Sequence, residues 1–159
     1  MYSPRTPALF ETKKIISRTM LSTKDLVATL DNSGHYVEQS LACIIPHGVV
    51  TPKRINVPDY PLEYILACIN SSHQSRWFAG AVIDDSLGGG LIHATPGAQR
   101  QLLIPNCTDE DAGDIASDVV ALLANNNPDH TNAIVARIET RLAHLFGVND
   151  DGPIPHLCG

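Results

Sequence analysis

A stretch bounded by prolines, Pro61 to Pro105, sets the frame for the rest of the chain. Leu62, Ile65, Leu66 and Ile69 fall at i, i+3, i+4 and i+7 and form one apolar face of a helix. Pro61 stands in its first turn, where a missing N–H costs no hydrogen bond. The polar run from Asn70 to Ser75 interrupts that face, and Arg76-Trp77-Phe78 then brings back a cation beside two large aromatics. Gly88-Gly89-Gly90 lets the backbone turn sharply or lie close to something else. After Leu91-Ile92 and a polar segment from Gly97 to Gln101, Leu102-Leu103-Ile104-Pro105 reads as a short buried strand stopped by proline. Helix, glycine loop and strand together have the shape of a binding surface on a packed support.

Upstream, residues 1–7 are an irregular lead-in. Strands are expected over Lys13 to Met20, Leu26 to Leu30 and His35 to Ile45. The turn signal Asp31-Asn32-Ser33-Gly34 would join the second and third as an antiparallel hairpin. Gly48, Pro52 and Pro58, with Lys53 and Arg54 between them, mark an exposed loop before Tyr60. Downstream, Thr108 reads as the N-cap of a helix with Asp109, Glu110 and Asp111 in its first turn. Ile115, Val119, Leu122 and Leu123 lie on one side of that helix, and Asn125-Asn126-Asn127-Pro128 ends it. A last helix, from Asp129 or Thr131 to Phe146, buries Ile134, Ile138, Leu142 and Leu145 and closes at Gly147. The sum is an α+β fold: a small mixed or antiparallel sheet packed by a central helix, followed by a C-terminal helical hairpin. Residues 1–105 form the sheet-plus-helix region, 106–148 the hairpin and 149–159 a loose tail.

A chain of 159 residues is long enough to bury a real core as one domain. No window approaches the ~18 uninterrupted apolar residues of a membrane span, and the N-terminus has no signal-peptide pattern, so a soluble, cytoplasmic protein with no membrane partner is expected. Cys43, Cys68, Cys107 and Cys158 form no C-x-x-C pair, which leaves buried free thiols as the expectation. The net charge of −6 is unevenly spread. Residues 1–100 hold nine Lys/Arg against eight Asp/Glu, and residues 101–159 hold two against nine. An acidic C-terminal end either solvates its helices or faces away from a polyanion.

The order Ile65-Leu66-Ala67-Cys68-Ile69-Asn70-Ser71, aromatic pair, glycine loop, polar segment, Leu102-Leu103-Ile104-Pro105 resembles the C-terminal target-recognition domain of TaqI-like adenine-specific DNA methyltransferases. That domain occurs in type IIG restriction-modification enzymes, and type I restriction specificity subunits carry a similar one. Phe10 to Arg18, Ala28 to Tyr36, Gln39 to Pro46 and Ile138 to Gly147 are similar to further pieces of it, so the likeness runs from about residue 8 to residue 148. The resemblance implies double-stranded DNA as a partner, together with a methyltransferase or restriction catalytic domain or subunit. A glycine-bearing strand-to-helix turn for S-adenosylmethionine and an Asn/Asp-Pro-Pro-aromatic loop for a flipped base are both missing. The chain is therefore expected to be no enzyme and to hold no cofactor, with S-adenosylmethionine on a separate catalytic part. P-loop, nucleophile-elbow and H-E-x-x-H patterns are missing too.

Candidate DNA contacts follow from side-chain chemistry. Arg76 and Arg100 flank the glycine loop, and arginine matches guanine O6/N7 and phosphate, while Gln39 could pair with adenine. Lys13, Lys14, Arg18, Lys53 and Arg54 would hold phosphates, with Gly89 and His93 at the loop itself. For each, the alternative is an ordinary solvated surface group. Trp77 and Phe78 are read as core. Asp84-Asp85 is read as a solvated turn rather than a metal or acid-base pair, and a zinc role for His156 and Cys158 is set aside because both lie in the tail. Two competing functions are a protein-interaction module docking a partner through its acidic C-terminal helices, and a small hydrolase using His93 with Asp84 or Asp85.

Overall fold

The computed structural model describes residues 7–21, 23, 25–38, 40–46, 48–49, 58–81, 92–125 and 127–148. Its architecture is α+β, with a small antiparallel sheet and a central helix, closed by a helical hairpin. A single turn, α1 (Ala8–Glu11), leads into β1 (Lys14–Arg18). After a break at Thr19 the chain continues as β2 (Met20–Leu21), then β3 (Ala28–Asp31) and β4 (Leu41–Ile44). The break is made by contacts to distant parts of the chain. Both the N–H and the hydroxyl of Thr19 donate to the Ser40 carbonyl, at 3.1 and 2.7 Å, and its own carbonyl accepts from Ala94 at 2.8 Å. The single strand expected over Lys13 to Met20 is thus two strands in two sheets.

β1 is the middle strand, with β3 and β4 antiparallel on either side of it, in the order β3-β1-β4. Ile16 faces Thr29 on one side and Cys43 on the other. The expected hairpin between β3 and β4 does not form, although its turn does. The Asp31 carboxylate accepts from the backbone N–H of Ser33 and of His35, both at 2.9 Å, and Gly34 takes φ +74°. That turn carries the chain over the start of β1, where Tyr36 stacks on Phe10 with ring centroids 4.4 Å apart. β4 therefore reaches the far side of β1. A turn signal sets how the chain reverses, and it does not set which strand the chain pairs with next.

α2 (Leu62–Asn70) is the central helix, with Leu62, Tyr64, Leu66, Ala67, Cys68 and Ile69 buried. It packs on β1 and β3 in front and on the hairpin behind. The polar run that follows interrupts the apolar face, and the helical conformation breaks there at Ser71 alone. Ser71 leaves the α conformation with ψ 148°, and its hydroxyl donates to the Cys68 carbonyl while accepting from the Gln74 N–H. One serine thus closes α2 and opens α3 (Ser72–Ala81). Phe78 is fully buried and Trp77 half-buried against the core, as their size predicts.

The two-residue β5 (Ile92–His93) pairs with β2, and α4 (Pro96–Gln99) follows, capped by the Thr95 hydroxyl. Leu102 to Ile104 is not a strand. This half-buried segment runs without regular structure into α5, and the tyrosines of the central helix region take its carbonyls: Tyr64 Oη donates to Pro105 O at 2.8 Å, and Tyr60 Oη to Cys107 O at 3.2 Å. α5 (Asp109–Ala124) and α6 (Pro128–Leu145) form the hairpin. Their ends are local chemistry: the Thr108 hydroxyl accepts from Asp111 N, Asn127 Oδ1 accepts from Asp129 N, and Gly147 at φ +67° closes α6. Ile115, Val119, Ile134, Ile138 and Leu142 join Ile15, Leu66 and Phe78 in one continuous core. Leu123, expected on the buried side of α5, is 56% exposed.

Candidate nucleic-acid interface

The far end of β1 is where the sequence candidates meet. Arg18, the last residue of β1, is exposed; its N–H donates to Val27 O at 3.0 Å and its carbonyl accepts from Gln99 Nε2 at 3.2 Å. The same Gln99 nitrogen donates to Ala94 O at 2.9 Å. Ala94 follows His93, which sits opposite Met20 in the β2–β5 pair, and Arg100 follows Gln99 at the end of α4. One buried amide therefore ties together three chain segments that carry Arg18, His93 and Arg100. All three are exposed, and none has an acidic partner among the described residues. The segments that meet there carry two exposed arginines and an exposed histidine.

Other candidates lie elsewhere. Lys13, at the opposite end of β1, donates to Glu63 at 2.5 Å. Partial burial is the largest single influence and opposes ionisation of Glu63, but the Lys13 hydrogen bond, its own backbone N–H and the Lys13 charge together hold its carboxyl below the usual range. Lys14 has to be removed from the phosphate-binding set. Its side chain is fully buried, and its ammonium donates to Phe10 O at 2.6 Å and to the Asp31 carboxylate. Asp31 also accepts from His35 Nδ1 at 2.8 Å, and Lys14, then His35, hold its carboxyl well below the ordinary range.

Arg76 is exposed on α3, and its guanidinium donates to Ser72 Oγ at 3.5 Å. Ser72 is in turn held by Glu139 of α6 through its N–H at 3.1 Å and its hydroxyl at 2.8 Å. No contact among the described residues joins Arg76 to Arg100, the pair the sequence placed around one loop. Gln39, Lys53, Arg54 and Gly89 lie outside the described residues, as do Asp84, Asp85, His156 and Cys158. Among the described residues no group of three or more His, Cys, Asp or Glu could hold a metal.

Sequence reading missed Gln99, whose role is set by contacts that span 81 residues to Arg18. It also missed how α6 uses its cations. Arg137 grips Asp118 through two nitrogens at 2.9 and 2.5 Å, and Arg141 reaches Asp114 at 3.1 Å. The Arg137 hydrogen bonds hold the Asp118 carboxyl below its usual range. No protein-family model matches the chain, and no curated protein matches its sequence significantly.

Proposed function

We propose that this chain is a non-catalytic DNA target-recognition domain that gives sequence specificity to an adenine-specific DNA methyltransferase or restriction-modification enzyme. The observation that carries the reading is the corner of Arg18, His93 and Arg100. Lys13, Lys14, Arg137 and Arg141 are each matched to a carboxylate, whereas the corner's two arginines have none among the described residues. Unmatched arginines suit a polyanion: the fork reads guanine O6/N7 in a major groove or grips phosphate. The resemblance noted in the sequence supplies the enzyme class. Methyl transfer and S-adenosylmethionine belong, in this reading, to a catalytic part or subunit beside the chain.

Eleven Lys and Arg against seventeen Asp and Glu release few counterions, so binding by the free chain is weak and only shallowly salt-dependent. Fluorescence anisotropy against a random-sequence duplex pool at low salt tests the proposal, on the free chain and on its complex with the catalytic partner. Arg18→Ala and Arg100→Ala should each weaken binding by roughly 3- to 10-fold, while Lys13→Ala leaves it within about 2-fold. Absence of binding by both the chain and the complex, or equal effects of all three substitutions, refutes it.

A further inference from the structure

A groove of about 190 Å³ opens where α2, β3, α5 and α6 meet. Its floor is aliphatic: Leu66 and Ala67 from α2, Val119 and Leu122 from α5, and Ile138 from α6. Leu123 and Val135 form its rim and are 56% and 40% exposed. With Val120 on the same helix as Leu123, these two helices carry three of the six large apolar side chains exposed among the described residues. Concentrated exposure of this kind marks an interaction surface rather than scattered surface apolarity.

The polar groups around the groove narrow the occupant. Asn70 donates its amide to Ala28 O at 2.9 Å and accepts from Ala28 N at 2.8 Å, so it occupies the outward-facing backbone groups of that edge-strand residue. An extended peptide cannot add to β3 there, which leaves a helix. Glu139, which accepts from Ser72 and lies 3.6 Å from His73 Nε2, is the one charged residue in the lining, and no Lys or Arg is among the lining residues. α5 and α6 together carry seven carboxylates against two arginines, both of which are engaged with Asp114 or Asp118. Charge complementarity therefore calls for cations on the incoming helix.

We propose that this groove docks an amphipathic helix of a partner protein, with large aliphatic residues at i, i+3 or i+4 and i+7 and Lys or Arg beside them, one cation meeting Glu139. The surface uses other elements than the Arg18 corner, and the proposal stands or falls without DNA.

The probe is a fluorescent Leu/Lys amphipathic peptide of about four helical turns, roughly 15 residues, compared with the same peptide carrying Glu in place of Lys. Anisotropy on the full chain should show the Leu/Lys peptide bound, and the Leu/Glu peptide weaker by on the order of tenfold or more. Backbone amide shifts on binding should map to Thr29, Asn70, Leu123 and Val135. Leu123→Asp and Val135→Asp, at exposed positions that leave the fold intact by far-ultraviolet dichroism, should each lower Leu/Lys affinity by on the order of tenfold. Glu139→Gln, which can still accept from Ser72, should narrow the Lys-over-Glu preference. Val27→Asp, at an exposed apolar residue outside the groove, should change nothing. Equal affinity for both peptides, shifts mapping elsewhere, or indifference to Leu123→Asp overturns the proposal. Concentration-dependent self-association abolished by Leu123→Asp overturns it too, by assigning the groove to a second copy.

Discussion

Gln99 is the most informative single position, because its one amide nitrogen serves Arg18 O at 3.2 Å and Ala94 O at 2.9 Å from a side chain only 7% exposed. Gln99→Ala removes both hydrogen bonds, each worth about 1 kcal/mol net, and leaves a small void. Together these cost roughly 2–3 kcal/mol, partly offset because the substitution also removes the buried Gln99 Oε1, which has no partner among the described residues; the net loss of about 1–2 kcal/mol lowers Tm by about 2–8 °C for a chain of this length. Gln99→Glu preserves the shape but replaces the donor with a carboxylate aimed at two carbonyls. Burial and those carbonyls raise the folded-state pKa of the new carboxyl above its unfolded value of about 4.3. A group shifted upward contributes most below the unfolded pKa and loses ground as pH rises through the folded one. The gap between wild type and Gln99→Glu should therefore be narrow near pH 4 and widen toward pH 7. Urea unfolding at both pH values measures it, with duplex anisotropy on the same samples at a temperature where each variant is folded. Variants within about 0.5 kcal/mol of wild type, or a Gln99→Glu gap that ignores pH, would show that the amide does not hold the corner together.

Other expectations follow from buried polar groups. Gln74 is fully buried and neither atom of its amide has a partner among the described residues, so Gln74→Met, similar in length and apolar, should stabilise by about 1–2 kcal/mol in urea unfolding. The Asp31 carboxyl is held below its ordinary 3.8, so its contribution is fully present above that value and is lost as pH falls toward the folded one. The stability advantage of wild type over Asp31→Asn should then be flat at neutral pH and shrink only in acid, as followed by dichroism-detected unfolding from neutral pH down to about pH 2. Burial pushes the Cys68 thiol up to about 12, so iodoacetamide at pH 8 should label it only once the protein is unfolded, as read by peptide mass spectrometry.

The elements whose signals act within one turn were legible in the residues. The apolar spacing of Leu62, Leu66 and Ile69 forms α2, and Thr108, Asn127-Pro128 and Gly147 bound α5 and α6 where their cap chemistry says. The run at Leu102 to Ile104 was ambiguous because a short apolar stretch is equally good as a buried strand or as a connector. Its carbonyl neighbours found tyrosine hydroxyls instead of a strand. The candidate site was legible as residue types only. Nothing local connects Arg18, His93 and Arg100; nearness to one loop sets Arg76 beside Arg100 in the sequence, and the Arg76 contact runs instead through Ser72 to Glu139.

By itself, then, the sequence determined the α+β class, the central helix, the capped hairpin and the confinement of the net negative charge to residues 101–159. These depend on side-chain period, on caps that act over three or four residues and on composition, all of which are properties of a short window. Only the tertiary structure decided that β1 lies between β3 and β4, that Lys14 rather than Lys13 is buried, and that Gln99 draws Arg18 and Arg100 to one corner. Strand order and the pairing of a buried ammonium are settled by contacts across tens of residues, where many partners satisfy the same local rules and the packing of the whole core selects one.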